Sequence, residues 1–94
     1  MSARAVADDD RPAVGHGFRL QWEAAQNAYV LLYPEGLVRL NSSAAEILKR
    51  CDGKATVAAI TVDLEGAFSA TGLAADVRDF LAFALERRWV EIGA

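Results

Sequence analysis

The chain has one cysteine, one histidine and two prolines among 94 residues. A lone cysteine excludes an internal disulfide and a thiolate metal cluster, which both need further sulfur atoms. No stretch approaches the ~18 consecutive apolar residues of a membrane-spanning helix, so no membrane partner is expected. The N-terminus, Met1-Ser-Ala-Arg-Ala-Val-Ala-Asp-Asp-Asp-Arg11, lacks a hydrophobic run and turns acidic, unlike a secretory signal. These absences make the cytoplasm the expected compartment. Positive charge is also scarce: the formal net charge is -3, and no basic run exceeds Arg87-Arg88. Nucleic-acid domains draw much of their affinity from counterion release at phosphates, so DNA and RNA are not expected partners. Dinucleotide-binding, Walker A, HExxH, EF-hand and CxxC motifs are all missing.

What is present is a folding core. Apolar residues make up 53% of the chain, too many for a disordered segment, and the length suits a single domain. Residues 1–16 show no period and read as a flexible acidic lead-in or linker, leaving 17–94 as the folded domain. Phe18-Arg-Leu-Gln-Trp22 alternates apolar and polar side chains, the mark of a strand with one buried face. Residues 23–27 read as a hairpin loop. Ala28-Tyr-Val-Leu-Leu-Tyr33 is apolar on both faces, as a central strand would be. Pro34-Glu-Gly36 supplies a turn into a short third strand, Leu37-Val-Arg-Leu40.

The period becomes helical at residue 43. Ser43 and Glu46 fit a capping box, and Ala44, Ile47, Leu48 and Cys51 share one face. Gly53 suits a left-handed helix stop. Thr56 can cap a second helix, whose stripe is Val57, Ile60, Leu64 and Phe68. After an interruption at 69–72, a third helix extends to about residue 88, with Val77, Phe80, Leu81, Ala84 and Leu85 as its apolar face. Trp89-Val-Glu-Ile92 is a short extended end. The expected fold is α+β and winged-helix-like: a three-stranded antiparallel sheet, three helices and a short terminal strand.

Candidates for chemistry are few. His16 lies between two glycines in the lead-in, where nothing would hold a general base in place. Cys51 shares a stripe with Ile47 and Leu48 and reads as a small core hydrophobe. Glu46, Asp63, Glu65, Asp76 and Asp79 lie off the apolar stripes and have no accompanying histidine for a metal. No catalytic residue, cofactor site or metal site is assigned. A sheet edge needs none of these to bind: an arriving peptide strand can pair with free backbone groups. The same edge could be covered by the chain's own tail or by a second subunit, which leaves a homodimer open.

The segments Leu20-Gln-Trp22, Tyr29-Val-Leu-Leu-Tyr-Pro-Glu-Gly36, Leu40-Asn-Ser-Ser-Ala-Ala-Glu-Ile-Leu48 and Cys51-Asp-Gly53 resemble the PqqD family. Asp76-Val-Arg-Asp-Phe-Leu81 and Trp89-Val90 continue the likeness, which covers about residues 12 to 92. The resemblance implies a peptide chaperone of pyrroloquinoline quinone biosynthesis, a recognition element for a ribosomally made precursor. Its implied partners are the precursor peptide PqqA and the radical SAM enzyme PqqE, which would carry the iron–sulfur chemistry. Some relatives are fused to the oxidase PqqC, so the acidic lead-in could be a linker remnant or a native tail. The resemblance also implies a peptide groove between the third strand and the last helix. The matching positions are Leu37, Val38, Arg39 and Leu40 on the strand, and Val77, Arg78, Phe80, Leu81, Ala84 and Leu85 on the helix. Arg39 and Arg78 would be available to peptide carboxylates, or to surface salt bridges. The competing reading is a winged-helix transcriptional regulator, because a shared helical arrangement does not fix function.

Overall fold

Alternation over residues 18–22 and helical spacing after residue 43 both translate into the expected elements. The computed structural model describes residues 5–93. The order is β1 (Pro12–Val14), β2 (Arg19–Glu23), a 3-10 turn (Ala24–Gln26), β3 (Ala28–Tyr33), β4 (Gly36–Arg39), α1 (Ser42–Leu48), α2 (Val57–Ala67), α3 (Ala74–Glu86) and β5 (Val90–Ile92). This is the expected α+β class.

The main sheet has the order β2-β3-β4 and is antiparallel throughout. Asn27 turns the β2–β3 connection with φ 51°, a left-handed angle that asparagine tolerates. Leu31 stands opposite Leu20 on one side and Val38 on the other, forming an apolar row. Leu31 and its neighbour Val30, which points to the opposite face, are both fully buried. The central strand is therefore covered on both faces, as its composition implied.

Three helices contribute their stripes to the core cluster that contains Leu31. Ala44, Ala45, Ile47 and Leu48 come from α1, Val57, Ile60 and Leu64 from α2, and Val77, Leu81 and Ala84 from α3. Each large side chain in this cluster contributes roughly 1.5–3 kcal/mol by leaving water. Arg50 ties α1 to α2 by pairing with both Glu46, at 2.9 Å, and Asp63.

Three local expectations are corrected. The cap of α1 is Asn41, whose side chain accepts the Ala44 N–H at 2.8 Å, in place of Ser43. Glu46 turns instead to Lys49 and Arg50, whose hydrogen bonds hold its carboxyl below the usual value. Thr56 does cap α2, accepting the Ala59 N–H at 3.1 Å. Phe68, expected on the buried stripe of α2, is 54% exposed, because it is the C-cap residue, beyond the last helical turn.

The third correction concerns the lead-in. Residues 1–4 lie outside the described residues, but the segment that follows is built into the fold. Val6 is buried, and Pro12–Val14 pairs with Val90–Ile92. The carbonyl oxygens of Asp8 and Asp10 accept the N–H groups of Ala58 and Val57, both at 2.9 Å. These are amide groups at the start of a helix, which have no partner within it. Gly53 donates its N–H to Pro12 at 2.9 Å, with φ +79°, an angle that disfavours any residue with a Cβ. Backbone pairing to distant residues holds this segment, so its sequence carries no periodic signal.

Candidate functional site

Leu40 donates its backbone N–H to the Tyr29 carbonyl oxygen at 2.9 Å. In an antiparallel ladder, residues alternate between facing the partner strand and facing away. The register pairs Leu31 with Val38 and Tyr33 with Gly36, so Val38 and Gly36 also turn their main-chain groups inward to β3. Leu37 and Arg39 therefore present their N–H and C=O groups to the outer edge. No described strand pairs with that edge. The terminal strand β5, which could have covered it, pairs with β1 instead.

Beside the end of β4 lies a cleft of about 480 Å³. Arg39, Leu40, Asn41, Ala44 and Ile47 line one side, and Asp76, Phe80, Phe83 and Trp89 the other. The aromatic wall has a clear local origin. Helix α3 ends in a Schellman turn: the Trp89 N–H reaches Ala84 at 2.9 Å and the Arg88 N–H reaches Leu85 at 3.1 Å. Arg88 adopts the left-handed angle, φ 65°, that this turn requires. The chain reversal lays Trp89 back on the helix, edge-on to Phe83 with ring centroids 5.5 Å apart. Phe80 packs 6.5 Å from Trp89, and the Arg87 guanidinium covers Phe83 at 3.7 Å. Phe83 still stays 43% exposed.

The ten positions implied by the resemblance separate into three sets. Leu37 and Arg39 lie on the open edge, and Phe80 lines the cleft. Leu40 is buried yet lines the cleft, Val77, Leu81 and Ala84 are buried core residues that do not line it, and Val38 and Leu85 pack against the same core. Arg78 is absent from the cleft wall and pairs with Asp8 at 3.0 Å. The Arg39 guanidinium reaches the Gln26 carbonyl oxygen at 3.5 Å. Asp76, Phe83, Trp89, Asn41, Ser43, Ala44 and Ile47 are the cleft residues that the predicted site left out. Phe83 could have been found three residues after Phe80, on the flank of the apolar stripe.

The remaining candidates have structural surroundings. Cys51 is buried, with its thiol on the Ile47 carbonyl oxygen at 3.3 Å. Burial pushes the thiol up to about 12, so it stays protonated at neutral pH and is a poor nucleophile. His16 is exposed, and its backbone N–H is held by Glu91 at 3.0 Å. Among the described residues, no group of three or more His, Cys, Asp or Glu side chains could hold a metal ion. No helix of the described residues is long and apolar enough to cross a membrane.

Comparison with known proteins agrees with this architecture. Residues 28–90 match the family described as coenzyme PQQ synthesis protein D, PqqD. The chain is 50% identical over 82 residues to a PqqA binding protein of Stutzerimonas stutzeri, covering 86% of this chain and 89% of the relative. It is 51% identical over 85 residues to a PqqA binding protein of Azotobacter vinelandii, covering 89% and 92%. Its fold is similar to the solution structure of the PqqD truncation of Methylobacterium extorquens PqqCD, described as a stand-alone RiPP recognition element. That likeness has a TM-score of 0.77 at 32% identity, and covers 93% of this chain and 95% of the other. A meander with an open last strand, a three-helix layer and a family match across both make this chain a member of the PqqD family.

Proposed function

We propose that this chain binds a PqqA-type precursor peptide by strand addition to β4 and presents it to the radical SAM enzyme PqqE. The observation that carries this reading is the free edge of β4, with Leu37 and Arg39 turned outward beside an aromatic cleft. An extended peptide would satisfy those main-chain groups, while its side chains enter the cleft between β4 and α3. The names of the relatives support the choice of peptide, since they are PqqA binding proteins. The chain supplies recognition and alignment; the bond-forming chemistry belongs to the partner. Its compartment would be the cytoplasm.

The test uses the ladder's alternation. Arg39→Pro removes an N–H on the open edge and should retain the fold, while lowering affinity for PqqA at least about tenfold. Arg39→Ala keeps that N–H and should bind nearly as the parent does. Amide chemical-shift perturbation reports binding, and circular dichroism reports the fold. If a folded Arg39→Pro binds the peptide like the parent, strand addition at β4 is wrong. Duplex DNA at matched ionic strength is the control ligand; DNA binding without a peptide response would favour the regulator reading. Peptide crosslinking should appear only when PqqE, its clusters and reductant are added.

A further inference from the structure

The cleft beside β4 does not end at the first turn of α3. A second cleft of about 370 Å³ lies between α1, the end of α2 and the start of α3, and shares Ser43, Ile47 and Asp76 with the first. Its apolar lining includes Leu64, Phe68 and Leu73. Leu64 is buried, whereas Phe68 is more than half exposed, with its ring at the mouth of an apolar hollow. The hollow is braced: the Leu73 N–H is held by the Glu65 carboxylate at 3.0 Å, which fixes the start of α3 against α2.

Asp76 stands where the two clefts meet. Among the described residues it has no hydrogen-bond or ion-pair partner, although most nearby charges are engaged. Glu46, on the opposite rim, is already paired with Lys49 and Arg50. The groove thus presents an aromatic wall at Phe80, Phe83 and Trp89, one free carboxylate, and then an apolar hollow.

We propose that the precursor peptide continues beyond the β4 edge into this second cleft, placing a lysine or arginine on Asp76 and a bulky apolar side chain against Phe68 and Leu73. This rests on the strand-addition reading and adds a recognition pattern to it. Asp76 and Phe83 are seven positions apart on α3, which is about 10 Å at 1.5 Å per residue. An extended peptide rises about 3.3 Å per residue, so about three positions separate the residue over Phe83 from the basic residue at Asp76. The apolar anchor follows on the side away from Phe83. The continuity of the cleft walls and the free negative charge single out the peptide as occupant, because both features lie on one path with the β4 edge.

The full chain would be titrated with the complete PqqA peptide, and with truncations down to the shortest one that still shifts the β4 amides. Phe68→Ser and Asp76→Asn should each weaken the complete peptide about tenfold. Neither should change the affinity of the shortest peptide. Both residues are exposed, and unchanged thermal melting confirms the fold. In a second arm, each Lys or Arg of the peptide is changed to Glu in turn and titrated against Asp76→Lys. One position alone should recover binding, and that recovery should fade at high salt. Three results overturn the inference: parental binding of the complete peptide by both variants, equal weakening of every truncation, or loss of PqqE binding with peptide affinity intact. The last would assign the hollow to the enzyme. Arg39→Pro separates the two readings, since it should weaken long and short peptides alike; if it does not, strand addition itself has failed.

Discussion

β1 and β4 are both short strands, yet they have opposite fates. β1 is engaged on both sides: it pairs with β5, and its other side meets the 51–53 loop through the Ala13–Asp52 bridge and the hydrogen bonds of Val14 and Gly53. β4 is engaged on one side only. The difference that matters is what lies next to them. A strand closed on both sides holds the termini of the domain together; a strand left open on one side is a binding template. Changes at β1 should therefore register as stability, and changes on the outer side of β4 as affinity.

The largest effect should come from breaking the inner side of β4. Val38→Pro removes an N–H that faces β3 and should cost about 3 kcal/mol or more, lowering the melting temperature by more than about 10 °C. Its contrast with Arg39→Pro, one residue on, measures how completely the two sides of the strand differ. Gly15→Ala should come next. A Cβ there would overlap the Arg88 backbone carbonyl, where the Gly15 N–H reaches Trp89 at 2.7 Å. Overpacking of this kind costs about 2–3 kcal/mol, and a denaturant midpoint equal to the parent's would show that the β1–β5 junction is not closed as described.

Smaller effects sharpen the same contrast. Arg88→Gly relieves a left-handed angle at an exposed position and should raise stability by about 1 kcal/mol by chemical denaturation. Peptide affinity should be kept, because the turn that places Trp89 is kept. The smallest effect concerns Asp52, whose carboxylate accepts the N–H groups of Ala55 and Lys54 at 2.9 and 2.8 Å. Those bonds hold its carboxyl below the usual value. A depressed value means the contribution is complete above the unfolded pKa of about 3.9 and is lost as pH falls through the folded one. Melting of the parent should therefore drop below about pH 4 more steeply than that of Asp52→Asn; parallel curves would remove Asp52 from the acid response.

The parts of the fold that were legible in the sequence are those with a period or a local signal. Alternation marked 18–22, Thr56 marked a cap, and Pro34-Glu-Gly36 marked the turn before the open strand. β1 was invisible because three residues are too few for a period and its partner lies at the far end of the chain. Asn41 and Ser43 are both chemically fit to cap a helix, and only the backbone path decides between them. Helical spacing also tells which side of a helix a residue occupies, not whether a neighbour reaches it. That is why Val77, Leu81 and Ala84 became core while Phe80 and Phe83, on the flank, became wall. Phe68 lost its cover for another reason: it is the C-cap residue, past the last turn of α2.

The shortness of β4 sets a clock. Two outward residues give a guest strand about four backbone hydrogen bonds, each worth about 1 kcal/mol net, which alone would support only millimolar affinity. Side chains in the neighbouring clefts must supply the rest. A complex brought in this way to about 1 μM, forming at about 10⁶ M⁻¹s⁻¹, would last about one second. On the proposed function, that would be long enough to meet an enzyme and short enough to let one copy of the chain serve many peptides in succession. A longer edge would hold its cargo more firmly and deliver it less often.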